Sequence, residues 1–506
     1  MSARLSEARD SYAQGDYLRA FALCKDILEN EAPSPEALLL FARLCKDAGD
    51  AVTAALCARH ALQLDANDAE AAALLEQLEA SAKPEAAQDA YSLALQLDPD
   101  MAAHTNAAVF AQPGDTRVEA LLRDALAHDV TGAPAHAALG NVLGRMGRID
   151  ESLASYARAV VLDPQAADVR LGYAERLRLF GDGIAAREHL HAALTQSRVF
   201  SEKATDEEQV RIVALCAPSF WEDNIALDLL VDRARVTVHK QYLGSETPIA
   251  QCGVLFNAIA DCNDAALLAE AERAVEGLAP RRCLNHPRLL SRTARTYLSE
   301  SGVLGAHAVV PATRRVAKQR LALGEVPVAF PALIRPLHSH RGAGLQLVRS
   351  AGDLHTYLQK SLESEFYMSD FRDYRSADGY YRKYRFIFVA GRPYPYHLAI
   401  SSEWMVHYFS AQMHEYEWMR EEEAAFLKEP FEVFGPRAQQ AFGMLARSLE
   451  LDYFGVDCSV LDGEVLVFEA NANMLVHSLD ALDLFAYKMP AVQKIRDAFE
   501  ALARNG

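Results

Sequence analysis

Three stretches in the first 200 residues close on nearly the same letters: LQLDAN at 62–67, LQLDPD at 95–100 and VVLDPQ at 160–165. The small residues between them keep step, with Gly15 and Gly49 34 apart, as are Ala20 and Ala54 and also Gly147 and Gly181. This period constrains the chain more than any single motif does. Each unit holds too little apolar surface for a core of its own and must bury it against the next. The cleanest unit, APAHAALGNVLGRMGRIDESLASYARAVVLDPQA (133–166), reads as helix, turn at Gly147, helix, and a stop at Pro164, which cannot continue a helix. Residues 1–200 are rich in Ala, Leu, Glu and Arg without strand-like alternation, so helix is expected throughout.

With Leu139-Gly140 in the first helix and Tyr156 and Ala159 in the second, the unit resembles the tetratricopeptide repeat. Five or six units start near 1, 35, 68, 101, 133 and 167, the fourth degenerate around AQPGDTR. The resemblance implies an all-α solenoid over 1–200 whose concave surface holds a peptide or protein substrate; self-association into a homo-oligomer is the other use of such a surface. A generic helical bundle is the alternative fold.

At 506 residues the chain needs two to four domains. Apolar residues at 51% and charged residues at 24% suit a soluble globular protein. A formal net charge of -18 argues against a nucleic-acid partner, since phosphate backbones attract excess Lys and Arg. The eight cysteines include no CxxC pair, which leaves out zinc knuckles and thioredoxin-type redox pairs. The polar start lacks an apolar secretion segment, and no run of about 18 apolar residues occurs, so no membrane span is expected. Reduced thiols in the cytoplasm is the expectation.

The polar segment SRVFSEKATDEEQ (197–209) reads as a junction. Beyond it, strand-like runs such as VRIVALCAP (210–218), VLFNAI (254–259), VPVAFPALIRP (326–336) and KYRFIFVAGR (383–392) alternate with helical ones, which indicates α/β or α+β architecture. The most informative stretch is DYFGVDCSVLDGEVLVFEANANM (452–474), a hairpin turning at Asp462-Gly463. Asp457, Glu469 and Asn471 lie at its far end and offer hard oxygen ligands suited to magnesium on nucleotide phosphates. Register decides whether they cooperate. A plain two-residue loop would set Asp457 opposite Phe468, facing the wrong way; a three-residue loop or a bulge sets it opposite Glu469. The alternative is an ordinary hairpin with solvated acids at its end.

Upstream, FPALIRPLHSHRGAGLQLV (330–348) reads strand, loop, strand, with Arg335 ending the first strand and Gly342 and Gly344 in a loop able to close over phosphates. No GxxxxGK[ST] occurs, which excludes a P-loop. Between these motifs, residues 371–408 concentrate Arg372, Arg375, Arg382, Lys383 and Arg385 among tyrosines, a local positive pocket in an acidic protein. Lys383 and Arg385 share a strand face. His397, Ser401, Trp404 and His407, with Arg375, are candidate substrate contacts, although a lone histidine is more often a satisfied structural residue.

This order of motifs resembles the ATP-grasp superfamily over roughly 208–505. The likeness implies an N-terminal α/β subdomain at 208–310 and nucleotide-binding and catalytic subdomains at 311–506. Arg335, and near it in role Arg295, stand where the family has ATP-phosphate lysines. YMSDFRDY (367–374) resembles the adenine hinge, with Asp370 a polar contact there. Arg385 matches the phosphoryl-neutralising arginine, with Lys383 beside it, and Asp457, Glu469 and Asn471 match the magnesium ligands. The implied activity uses ATP and Mg2+ to turn a carboxylate into an acylphosphate that an amine or other nucleophile displaces. Arg for Lys at 335 and 295, and EANANM in place of EVNxSPG, mark a distinct branch. A non-catalytic scaffold and a kinase on the same fold are the competing readings.

Overall fold

The structure is a computed structural model that describes the chain except residues 1–2, 49, 81–83, 104–113, 130–131, 246–252, 338, 340–341, 408–410, 478–481 and 505–506. The degenerate segment around AQPGDTR falls largely outside the described residues, as does Gly49. The chain forms two compact units, Met1–Arg198 and Val199–Gly506.

Within the first unit the described residues are helical, in hairpins joined by tight turns, among them Ala133–Arg145 with Ile149–Leu162 and Ala167–Phe180 with Gly183–Gln196. The repeated small residues explain the geometry. Gly147 and Gly181 turn with φ of 77° and 113°, a region closed to most side chains. Asp16 and Asp182 follow such turns as N-caps, accepting from the backbone N–H groups of Arg19 and Ala185, and Asp50 caps its own helix through the N–H of Thr53. Tyr156 is fully buried between Gly140 and Gly172, where an added Cβ would come within 2.6 and 2.8 Å of it.

The second unit is α+β, built on three sheets. Strands β1 (Val199–Glu202), β2 (Val210–Cys216), β3 (Val236–Tyr242), β4 (Val254–Asn257) and β5 (Arg282–Leu284) form a sheet of order β1-β3-β2-β4-β5, parallel except for β1. The polar junction expected at 197–209 thus contains an edge strand. Val199 and the buried Phe200 are its apolar residues, adjacent rather than alternating, too little to show as a strand pattern. A second, antiparallel sheet, β6-β9-β7-β8, comprises β6 (Thr313–Ala317), β7 (Ala332–Pro336), β8 (Gln346–Val348) and β9 (Glu365–Asp370). The strand expected from 326 therefore begins only at Ala332.

The third sheet, β11-β10-β12-β13, is also antiparallel: β10 (Tyr381–Val389), β11 (Arg392–Ser401), β12 (Tyr453–Leu461) and β13 (Glu464–Asn471). Tyr384, Phe386, Phe388 and Phe454 face an aromatic core with Phe426, Phe434 and Phe442 from the helices Glu417–Lys428 and Pro430–Leu449. Lys383 and Arg385 therefore face the other way. Phe499 of the C-terminal helix Met489–Arg504 packs on both Phe256 of β4 and Tyr453 of β12. Asn285, fully buried, exchanges hydrogen bonds of 2.7 and 2.9 Å with the Tyr453 backbone, joining the first sheet to the third.

Candidate active site

The hairpin β12–β13 has both a tight turn and a bulge. Leu461 pairs with Glu464 across Asp462-Gly463, whose φ values of 52° and 81° are those of the two-residue turn that suits strand twist. Register holds to Cys458 opposite Val467, then shifts, so that Phe468 is skipped and Asp457 faces Glu469. Gly455 pairs with Asn471, placing Asn471 on the face of Glu469. Phe468 packs against Tyr374, ring centroids 4.9 Å apart.

A second bulge sits beside the first. Arg385 pairs with Asp457 on one side and with His397 on the other, and between Arg385 and Phe386 the ladder to β11 shifts, skipping Tyr396. The result is one cross-strand row, His397–Arg385–Asp457–Glu469, over all four strands. β11 can carry Pro393 and Pro395 because it is the sheet edge.

The side chains of the row form a charged chain of contacts. Arg385 forks onto Asp457, Nε to Oδ1 at 2.6 Å and Nη2 to Oδ2 at 2.9 Å, and Lys383 Nζ lies 3.4 Å from Oδ2. Glu469 is ion-paired with Arg295. Burial pushes the Asp457 carboxyl up, but Arg385 and Lys383 outweigh it and hold Asp457 well below the usual carboxylate range. Glu469 is likewise pushed up by burial and pulled below its ordinary value by Arg295. Arg335 ends β7 with Nε 3.0 Å from the Ser339 hydroxyl, and burial together with the neighbouring Arg295 brings it down to about 10. Four cations, Arg295, Arg335, Lys383 and Arg385, thus meet two carboxylates, Asp457 and Glu469. The surplus is positive, suited to an oligophosphate.

Gly342 and Gly344 lie in the β7–β8 loop with φ of 77° and 67°. A Cβ at Gly344 would come within 2.7 Å of the Pro336 ring, and its carbonyl accepts from the Tyr357 hydroxyl at 2.7 Å. Arg341 lies outside the described residues. Asp370 closes β9 and pairs with Arg372 at 3.2 Å. Arg375 donates to the Tyr381 hydroxyl at 2.8 and 3.0 Å, and Trp404 packs edge-on against Phe371. Ser401 pairs with Tyr381, on the face of the row but four positions along β10 from Arg385, and its hydroxyl accepts from Glu403 N at 3.1 Å. His407 is half-buried beyond β11. Of the candidate substrate contacts, only His397 joins the row. Arg382 points to the opposite face and pairs with Glu422 and Asp378.

The donor set fits a magnesium ion held jointly with phosphate. Asp457 and Glu469 are hard oxygen donors facing each other, and each already carries a cationic side chain as a stand-in. Among the described residues no group of three or more His, Cys, Asp or Glu stands ready to hold a metal by itself. Magnesium commonly takes one or two carboxylates and completes its shell with phosphates and water. The Asn471 amide oxygen accepts from Asn473 N at 2.8 Å, so it would be shared.

Residues absent from the sequence reading are Ser339 on Arg335, Asn473, whose amide donates to Glu222 O at 3.1 Å, and Lys488, buried in the turn Ala486–Lys488. Asn473 stood in EANANM and could have been read; the others carry no motif.

No protein-family model matches the chain, and no curated protein matches it. Among solved structures it is similar to D-alanine–D-alanine ligase from Bacillus anthracis complexed with ATP, at 12% identity over 57% of this chain and 98% of that one, with a TM-score of 0.35. It is similar to a RimK domain ATP-grasp protein from Sphaerobacter thermophilus, at 13% identity over 57% and 99% of the chains, with a TM-score of 0.34. It is similar also to the ATP-grasp ligase PsnB complexed with precursor peptide PsnA2 and AMPPNP, at 12% identity over 59% and 100%, with a TM-score of 0.33. Likenesses this faint carry no argument; the chemistry is read from this chain's own strands and side chains. Among the described residues no helix is long and apolar enough to cross a membrane.

Proposed function

We propose that Val199–Gly506 is an ATP-grasp ligase that uses ATP and magnesium to activate a carboxylate as an acylphosphate for attack by an amine or another nucleophile. The observation that carries this reading is the row itself: bulges in the ladders on either side of the regular β10–β12 pairing bring His397 and Glu469 into line with Arg385 and Asp457, with Arg295 and Arg335 alongside. A bulge costs ladder hydrogen bonds, and two in one row serve a site better than they serve a sheet.

Phosphoryl transfer needs positioning and charge neutralisation more than covalent help. Arg295 and Arg335 would hold the nucleotide phosphates, and Lys383 and Arg385 the transferred group and the attacking carboxylate. Asp457, Glu469 and Asn471 would hold magnesium, which when bound draws charge from the phosphate oxygens. The helical array, read as tetratricopeptide repeats, would recruit a peptide or protein substrate.

Thermal unfolding with Mg·ATP tests the nucleotide site: a ligand at about 100 times its Kd adds about 2.7 kcal/mol. No shift would refute the reading. Hydroxylamine trapping then separates the outcomes, a hydroxamate marking an acylphosphate and its absence during turnover a kinase.

A further inference from the structure

The loop that joins β7 to β8 is fastened near both ends by side chains that the nucleotide reading leaves unassigned. Near its start, Arg335 donates Nε to the Ser339 hydroxyl at 3.0 Å and Nη2 to the Ser339 carbonyl. Ser339 is fixed in its turn, since its hydroxyl donates to Pro336 O at 2.9 Å and its N–H to the same oxygen at 3.4 Å. A guanidinium has five N–H groups. Two of them go to Ser339, and among the described residues the other three meet no hydrogen-bond acceptor.

Near the far end of the loop, Gly344 lies against the Pro336 ring, an approach that its φ of 67° and missing side chain allow. The Tyr357 hydroxyl donates to Gly344 O at 2.7 Å. Tyr357 belongs to the helix Ala351–Lys360 and packs in the core of the second sheet, its ring edge-on to Phe366 with centroids 5.7 Å apart. Burial pushes its phenol up to about 12, so it stays protonated and donates at neutral pH. The ladder between β7 and β8 is only three pairs long and ends at Ile334 opposite Gln346. Beyond it, side-chain bonds take over in setting where the Arg335 guanidinium and the glycines lie.

We propose that Ser339 and Tyr357 are positioning residues for the nucleotide phosphates: Ser339 aims the Arg335 guanidinium, and Tyr357 fixes the backbone at Gly344. This rests on the ligase reading above and adds to it the two groups that preform the phosphate side of the site. Arg335 turns one edge of its fork to Ser339 and keeps its remaining N–H groups for phosphate oxygens. With both fastenings made in advance, nucleotide affinity does not bear the entropy of ordering these groups.

Calorimetric titration of the full chain with Mg·AMPPNP tests it, with thermal unfolding of the nucleotide-free chain as control. Ser339→Ala and Tyr357→Phe should each weaken Mg·AMPPNP by about three- to tenfold, the effect of one hydrogen bond. Ser339→Thr keeps the hydroxyl and should stay within about twofold of wild type. Combination with Arg335→Lys separates the two residues, since an ammonium does not fork. On that background Ser339→Ala should have no further effect, because Ser339 acts through Arg335, whereas Tyr357→Phe should keep its full effect. Unchanged Mg·AMPPNP affinity in Ser339→Ala or Tyr357→Phe would overturn the proposal, and a lowered Tm with affinity intact would show a purely structural role in its place. A loss in Ser339→Ala that persists in full beside Arg335→Lys would overturn it too. Should Arg335→Lys not bind Mg·AMPPNP, failure of Ser339→Thr to retain what Ser339→Ala loses is the overturning result. Failure of Mg·AMPPNP to bind the wild type would overturn the ligase reading itself, and this proposal with it.

Discussion

Asp457 and Glu469 are direct cross-strand partners because Phe468 is passed over in the ladder between β12 and β13. Their carboxylates are held by different ion pairs: Arg385 and Lys383 hold Asp457, and Arg295 holds Glu469. On the proposed reading, a divalent ion would take the place of these monovalent cations between the two acids. Glu469→Gln keeps the shape and removes the charge. We expect it to lower nucleotide turnover by about 10²–10³, the loss seen when one electrostatic contact to developing charge is removed. Steady-state ATP consumption with substrate checks this.

On the proposed reading, Arg295 would link the metal site to the nucleotide. While it sits on Glu469, a free divalent ion must displace a guanidinium. Arg295→Met should therefore tighten binding of Mn2+ without nucleotide by about tenfold, and weaken AMPPNP. Mn2+ titration followed by electron paramagnetic resonance reads the first effect. Unchanged Mn2+ affinity would show that the ion pair does not guard Glu469.

Lys240 of β3 and Asp228 of the short helix Leu227–Leu230 form a buried pair, Nζ to Oδ1 at 2.9 Å. Burial pushes Asp228 up and Lys240 pulls it below its ordinary value; burial lowers Lys240 and Asp228 raises it above. A depressed carboxyl stabilises above its unfolded pKa and is lost as pH falls through the folded one; a raised ammonium stabilises below its unfolded pKa and is lost as pH rises through the folded one. The pair should thus hold from below pH 3.8 to above pH 10.5, the ordinary values. Asp228→Asn strands Lys240 and should cost about 3–5 kcal/mol in urea unfolding.

In the helical unit, Gly140→Ala sets two effects against each other. Propensity favours Ala inside a helix by about 1 kcal/mol, but the new methyl would sit 2.6 Å from the Tyr156 ring. Packing should win, with a net loss of about 1–3 kcal/mol in thermal unfolding. A more stable variant would mean the helices can part to admit it.

How far the sequence foretold this differs from strand to strand. The Asp-Gly turn and the two-residue period sufficed to show that Asp457 and Glu469 could share a face only through a bulge or a longer loop, and the bulge is there. Its twin at Tyr396 was hidden because Pro393 and Pro395 blur the alternation of β11. Strand β1 escaped because four residues with one buried ring make no pattern. Lys488 could not be read, since a lone lysine before Met-Pro looks like any surface lysine until the fold buries it. Arg375 and Trp404 were drawn in by composition, which records that residues are near in sequence but not which way they face.

On the proposed function, a metal–nucleotide complex lies over the row from Arg385 to Glu469. Crystals grown with Mn2+ and AMPPNP, measured at the manganese edge, test it most directly. An anomalous peak between the Asp457 and Glu469 carboxylates, with Arg295 turned from Glu469 to phosphate, is the expected result. A bound nucleotide with its metal elsewhere, and Arg295 still on Glu469, would contradict it.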